Sequence, residues 1–156
     1  MDKSKKIIAV IVSLVVALSC TVYLFYNNVI YNGAKGVLRY DQGTSKTVNA
    51  YYIISFPYFS EAHLEKIISN YIEDTDLFNK IVKEEKISAN TRICIRFNRP
   101  SLEWPLGRRI APEEADNLST VAGGNGVATC IAVLSDEKIT SYYYSGNSNH
   151  SNEIKN

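Results

Sequence analysis

The chain has little of what most specialised folds require. Its 156 residues include only three cysteines, four prolines, eight glycines, two histidines and one tryptophan. Three cysteines are too few for a disulfide-dense mini-domain, whose small core depends on several bridges. So few glycines and prolines exclude a collagen-like or Pro/Gly-repeat chain. Neither sign of charge dominates, with 17 Lys and Arg against 16 Asp and Glu. A dedicated nucleic-acid binder normally shows a basic domain, so no nucleic-acid partner is expected. His63 and His150 have no partner at HExxH or CxxC spacing, so neither a metal nor another cofactor is expected. No GxSxG elbow offers a serine nucleophile, and AGGNG at 122–126 lacks the GK[ST] ending of a phosphate loop. A non-catalytic role is the expectation.

What the chain does have is one long apolar run. Ile7 to Tyr26 holds twenty residues without a charge. As a helix rising ~1.5 Å per residue it is about 30 Å long, the thickness of a bilayer's hydrocarbon core. Lys3, Lys5 and Lys6 precede the run, and the next cation after it is Lys35. By the positive-inside rule residues 1–6 form a cytoplasmic basic stub and everything after 7–26 is exported. This reads as an uncleaved, single-pass signal-anchor in a bacterial cell membrane. Two alternatives involve cleavage: a signal-peptidase site after the small residues Ala17 and Ser19, or lipidation of Cys20 as in a bacterial lipoprotein. Both must explain why the apolar run continues past the cut.

Beyond residue 26 the chain carries 14 Lys and Arg against 15 Asp and Glu, and it is long enough for one modest core. Residues 27–36 are polar and contain glycine, which reads as a stalk. Residues 37–145 read as one exported domain, and 146–156, with almost nothing to bury, as a disordered tail. Within the domain, Val37–Asp41 and Thr47–Pro57 have strand composition. The second places Val48, Ala50, Tyr52, Ile54 and Phe56 on one face and Asn49, Tyr51, Ile53 and Ser55 on the other. Ser60 signals the N-cap of an amphipathic helix carrying Leu64, Ile67, Ile68, Tyr71 and Ile72. The Glu73-Asp74-Thr75-Asp76 interruption separates it from a second helix with Phe78, Ile81 and Val82. Asn90–Asn98 alternates strictly, with Ile93, Ile95 and Phe97 opposite Arg92, Cys94, Arg96 and Asn98. Pro112 opens a short helix, and Val127–Leu134 and Lys138–Ser145 flank a hairpin turn at 135–137. This order implies an α+β fold: an N-terminal transmembrane helix, then a mainly antiparallel sheet covered on one face by helices.

Three groups of residues are candidates for function. Five of the six arginines, Arg92, Arg96, Arg99, Arg108 and Arg109, fall between 92 and 109, with Arg92 and Arg96 flanking Cys94 on one strand face, a set suited to clamping an anion, since guanidinium forks bind carboxylates in two places. The competing reading is a solvated face neutralised by Glu103, Glu113, Glu114 and Asp116. Cys94 and Cys130 are an even pair in an exported domain and are expected as a disulfide, or else as two separate buried or surface residues. A third option is a working thiol, with the Cys94 pKa lowered by its two arginines. Trp104, Tyr142 and Tyr144 are candidate interface aromatics. Together these suggest an envelope protein held in the lipid bilayer through residues 7–26, whose exported domain binds another envelope protein. Such a domain is an assembly subunit or a toxin-neutralising guard. The alternative is an envelope enzyme or small anionic-ligand binder working from the Arg92/Cys94/Arg96 face.

Overall fold

The structure, a computed structural model, describes residues 3–26, 28–55, 58–120, 124–135, 138–146 and 151–155. Several expected features lie wholly or partly outside them: residues 1–2 of the basic stub, the Phe56-Pro57 end of the second strand, residues 122–123 of the glycine-rich connection, Asp136-Glu137 of the hairpin turn, and residues 147–150 (with His150) and 156 of the tail.

The apolar run forms α1 (Lys3–Tyr26), unbroken because no proline or glycine interrupts it. Its Ser4–Val22 stretch is long and apolar enough to cross a bilayer. None of that stretch is covered by the rest of the protein, whereas the core helix of a soluble domain would be mostly buried. Cys20 is exposed on this helix, which continues past it to Tyr26.

The rest is an α+β fold around a mixed seven-stranded sheet. Its strands are β1 (Ile30–Asn32), β2 (Leu38–Gln42), β3 (Ser45–Ile54), β4 (Thr91–Asn98), β5 (Gly126–Leu134), β6 (Ser141–Gly146) and β7 (Ser151–Lys155). They lie in the order β1-β3-β4-β5-β6-β7, with β2 also on β3. β1 pairs with the end of β3 near Ile54 and β2 with its beginning, so the two share one edge of β3. Gly43 turns the β2–β3 hairpin with a φ of 58°, a left-handed conformation that costs glycine little. Only β3 and β4 are parallel, and the crossover between them contains α2 (Glu61–Thr75) and α3 (Leu77–Glu84).

Ser60 caps α2 by accepting from the His63 backbone N–H at 3.1 Å. The break between the helices falls at Asp76, whose φ of 47° and ψ of 46° are left-handed and whose N–H closes α2 on Ile72 and Glu73 carbonyls. Leu64, Ile68, Ile72, Leu77, Phe78 and Ile81 then face Val48, Ala50, Ile54, Ile93, Ile95 and Phe97 of the sheet in one large core.

Three expectations are corrected here. The sheet is not covered on one face only. Ala34, Tyr51, Ile53, Trp104, Ile110 and Ala115 form a second, smaller core on the opposite face, under α4 (Pro112–Leu118) and the segment before it. The stretch expected as a stalk enters the sheet instead: Ile30–Asn32 pair with β3, and Gly33 lies where a Cβ would come 2.6 Å from the Trp104 ring. The stretch expected as a disordered tail supplies β7, whose Ile154 packs against the large core while Asn152 donates to Glu65 Oε1 at 2.8 Å. Both segments were misread for the same reason. A short edge strand needs a backbone ladder more than an apolar pattern, and its polar residues face water.

Candidate functional site

Because α4 and the Trp104 segment cover only part of the second face, the rest stays open across β2 to β5. Strand register arranges it in rows. Tyr40, Thr47, Arg92 and Val133 lie side by side, followed by Asn49, Cys94 and Ile131, then Tyr51, Arg96 and Thr129. The result is a groove of about 520 Å³. The alternation of β4 thus brings Arg92, Cys94 and Arg96 into one site, and the parallel pairing sets Asn49 directly beside Cys94.

The two arginines differ in their surroundings. Arg96 Nη1 lies 3.0 Å from Asp116 Oδ1 and 3.2 Å from Ser119 Oγ. The same carboxylate accepts from the Tyr51 phenol at 2.7 Å and, through Oδ2, from the Tyr40 phenol at 2.6 Å. Burial pushes the Asp116 carboxyl up, but the two phenols and Arg96 outweigh it and hold it below the ordinary aspartate range. Burial and then the bond to Asp116 push the Tyr51 phenol well above its ordinary value, and the bond to Asp116 raises Tyr40. Both phenols therefore stay protonated donors. Asp116 neutralises Arg96, as the solvated-face reading required of one of its acids. Arg92 is different: it is exposed, and among the described residues no carboxylate lies within ion-pair distance of it. Deeper in the groove, Asn49 is 3% exposed and its Oδ1 has no hydrogen-bond partner among the described residues.

Of the three cysteine readings, the disulfide and the activated thiol fail, and Cys94 and Cys130 are two separate buried residues. Cys94 sits opposite Ile131 and Cys130 opposite Ile95, so their side chains leave opposite faces of the sheet and no disulfide joins them. Cys94 lines the groove and Cys130 is buried in the large core. Nor is the Cys94 thiol lowered. Desolvation raises its pKa, and Arg92, which hydrogen-bonds it, and Arg96 offset that only in part. Burial raises Cys130 as well.

The aromatic expectation is also corrected. Trp104, Tyr142 and Tyr144 are core residues, at most 2% exposed, whereas Tyr143 is 46% exposed. Trp104 closes the small core, donating its indole N–H to the Gly33 carbonyl at 3.2 Å. Tyr144 pairs with core-facing Cys130, which sets the inward parity of β6, and the Tyr142 ring meets Phe78 at 5.2 Å between centroids, tilted by 37°. His63 lies in the first turn of α2, where Nδ1 accepts from the Phe59 N–H at 3.2 Å and the two rings stack. No cluster of three or more His, Cys, Asp or Glu able to hold a metal lies among the described residues.

Sequence reading passed over Asn49, Tyr40 and Tyr51 as site residues, and saw Asp116 only as one of several neutralising acids. The alternation of β3 was the available signal for Asn49, since it puts this amide on the polar face. Comparison with protein-family models, with curated proteins and with solved structures finds no match to this chain.

Proposed function

We propose that this is a single-pass membrane protein of the bacterial envelope whose exported domain binds a small carboxylate non-catalytically in the β2–β5 groove. One observation carries the reading: Arg92 stands in the groove without a carboxylate while Arg96, two residues on, is neutralised by Asp116. One guanidinium bonded to a neutral thiol and to no carboxylate among the described residues gives the groove a local positive charge in a domain that is otherwise balanced. The volume lies within the range of small-ligand sites. Asn49 Oδ1, buried beside the thiol, is an acceptor awaiting a donor. The matching ligand carries a carboxylate for Arg92 and, a few ångströms away, a hydroxyl or amine for Asn49. The membrane location is supported by α1, an uncovered helix of spanning length.

Binding of a partner protein remains as a second reading of the same groove, with an acidic side chain of the partner in place of the free carboxylate. Its support no longer includes Trp104, Tyr142 and Tyr144, which are core residues. The test uses the full chain in nanodiscs, titrated calorimetrically with hydroxy- and amino-carboxylates, short acidic peptides and uncharged analogues. Carboxylates are expected to bind and their neutral amides not to. Arg92→Ala should weaken binding about tenfold or more, the scale of one charge-assisted hydrogen bond. Preference for peptides would point to the partner protein. Equal binding of the neutral amides, or affinity unchanged in Arg92→Ala, would discard the groove as an anion site.

A further inference from the structure

The end of the sheet where α1 joins the domain is apolar and basic at once. Only residues 27–29 separate Tyr26 from Ile30, four steps of chain or at most about 14 Å at about 3.6 Å each. If α1 spans a bilayer, β1 is held at that bilayer's surface. The Ile54 end of β3 is held there with it, because the Ser55 N–H donates to the Val29 carbonyl at 2.9 Å and the Ser55 hydroxyl accepts from Val29 N at 2.7 Å. Three large apolar side chains are exposed on segments leaving this end of the sheet. Phe59, four residues beyond Ser55, is 84% exposed, and Leu102, four beyond Asn98 of β4, is 100% exposed. Leu106 follows at 55%.

This exposure is not the fraying of a loose loop. Between the two leucines Trp104 is fully buried, and Tyr31 of β1 pins the loop by donating to the Pro105 carbonyl at 3.1 Å and accepting from Gly107 N at 2.8 Å. A soluble domain gains nothing by fixing leucines in water, whereas a headgroup layer accepts such side chains. The charge fits the same surface. Arg99, Arg108 and Arg109 are exposed, Glu103 is the one acid between 99 and 110, and among the described residues no carboxylate lies within ion-pair distance of the three arginines.

We infer that the 102–109 loop docks on the headgroup layer of the bilayer that α1 crosses, with Arg99, Arg108 and Arg109 on the phosphates of anionic lipids and Phe59 reaching the same layer from its own segment. The inference rests on the spanning reading of α1 and is independent of the groove. Trp104, the chain's single tryptophan, is a native reporter inside the loop. The full chain is reconstituted into vesicles of phosphatidylcholine alone, or of equal parts phosphatidylcholine and phosphatidylglycerol, with brominated acyl chains as quenchers. Flotation of the vesicles reports the anchor separately. Expected are flotation in both lipids, strong quenching of Trp104 in the anionic vesicles, and weaker quenching in the neutral ones or in high salt. Replacing Leu102 and Leu106 by Ser should abolish the quenching while flotation persists. Each of Arg99→Gln, Arg108→Gln and Arg109→Gln should lower the docked-to-undocked ratio roughly fivefold in anionic vesicles. Chains that float with Trp104 unquenched, or equally quenched in every variant, would overturn the docking alone. Chains that do not float would overturn the spanning reading and the docking with it.

Discussion

Asp116 shows how much of the open face depends on one carboxylate. It joins α4 to β2 through Tyr40, to β3 through Tyr51 and to β4 through Arg96. Its carboxyl titrates below the ordinary aspartate value near 3.9, so its contribution to stability has a definite sign in pH. The contribution is complete above about pH 4, where the unfolded carboxyl is also ionised, and is lost as pH falls through the lower native value. Asp116→Asn is expected to lower stability at pH 7 by about 1–3 kcal/mol, because it trades charge-assisted hydrogen bonds for neutral ones. Urea midpoints measured from pH 2 to 7 should also show a shallower acid-side decline in the variant than in the parent. Parallel curves would mean that other carboxylates set the acid limb. This residue was hard to single out in the sequence because its partners lie 76 and 65 positions away, on strands whose register with α4 no local pattern encodes.

Among the elements, those with strong local patterns were legible and the short edge strands were not. The alternation of β4 declared both of its faces, and Ser60 with Asp76 marked the start of α2 and the break before α3. The Tyr142-Tyr143-Tyr144 run could not declare its parity. Three identical side chains look the same in either register, and a one-residue shift exchanges the faces. The disulfide reading of Cys94 and Cys130 failed for a related reason. Cys94 and Cys130 do fall on adjacent strands, but pairing places them one position out of step. β7 was invisible because Ile154 is its only large apolar residue. A chain ending at Gly146 is therefore a direct test of that strand. Removing it uncovers the β6 edge and the Ile154 contact with the large core, and should reduce stability by about 1–2 kcal/mol. An unchanged urea midpoint would show that β7 contributes nothing to the folded domain in solution.

For the molecule as a whole, the two faces of the sheet divide the labour. The face under α2 and α3 holds most of the buried side chains, which leaves the other free to be polar over β2 to β5. This division was half legible, since the alternation of the second strand already separated Val48, Ala50 and Tyr52 from Asn49. What the alternation did not reveal was Trp104, whose cover depends on a contact between Gly33 and a segment some 70 residues later. The same contact binds β1, the strand that follows α1 in sequence, into the domain, which ties the start of the sheet to its second core. Inserting four Gly-Ser pairs after Tyr26 should leave the urea midpoint almost unchanged, because lengthening an open linker costs the folded state little. It should also relax the quenching of Trp104, because the loop is then no longer confined to the surface. Loss of the folded domain on insertion would mean that α1 itself props the sheet.

That tie has a consequence under tension. If α1 spans a bilayer and the groove holds a ligand, as proposed, a pull between the two is transmitted through β1, three residues paired with β3 and secured by Val29, Ser55 and Tyr31. At three residues it is the shortest of the seven strands. When it yields, the Trp104 cover is released while the large core, which draws only peripherally on β1, stays folded. The anchor would then act as a fuse, paying out a short length of slack before the sheet itself feels the strain.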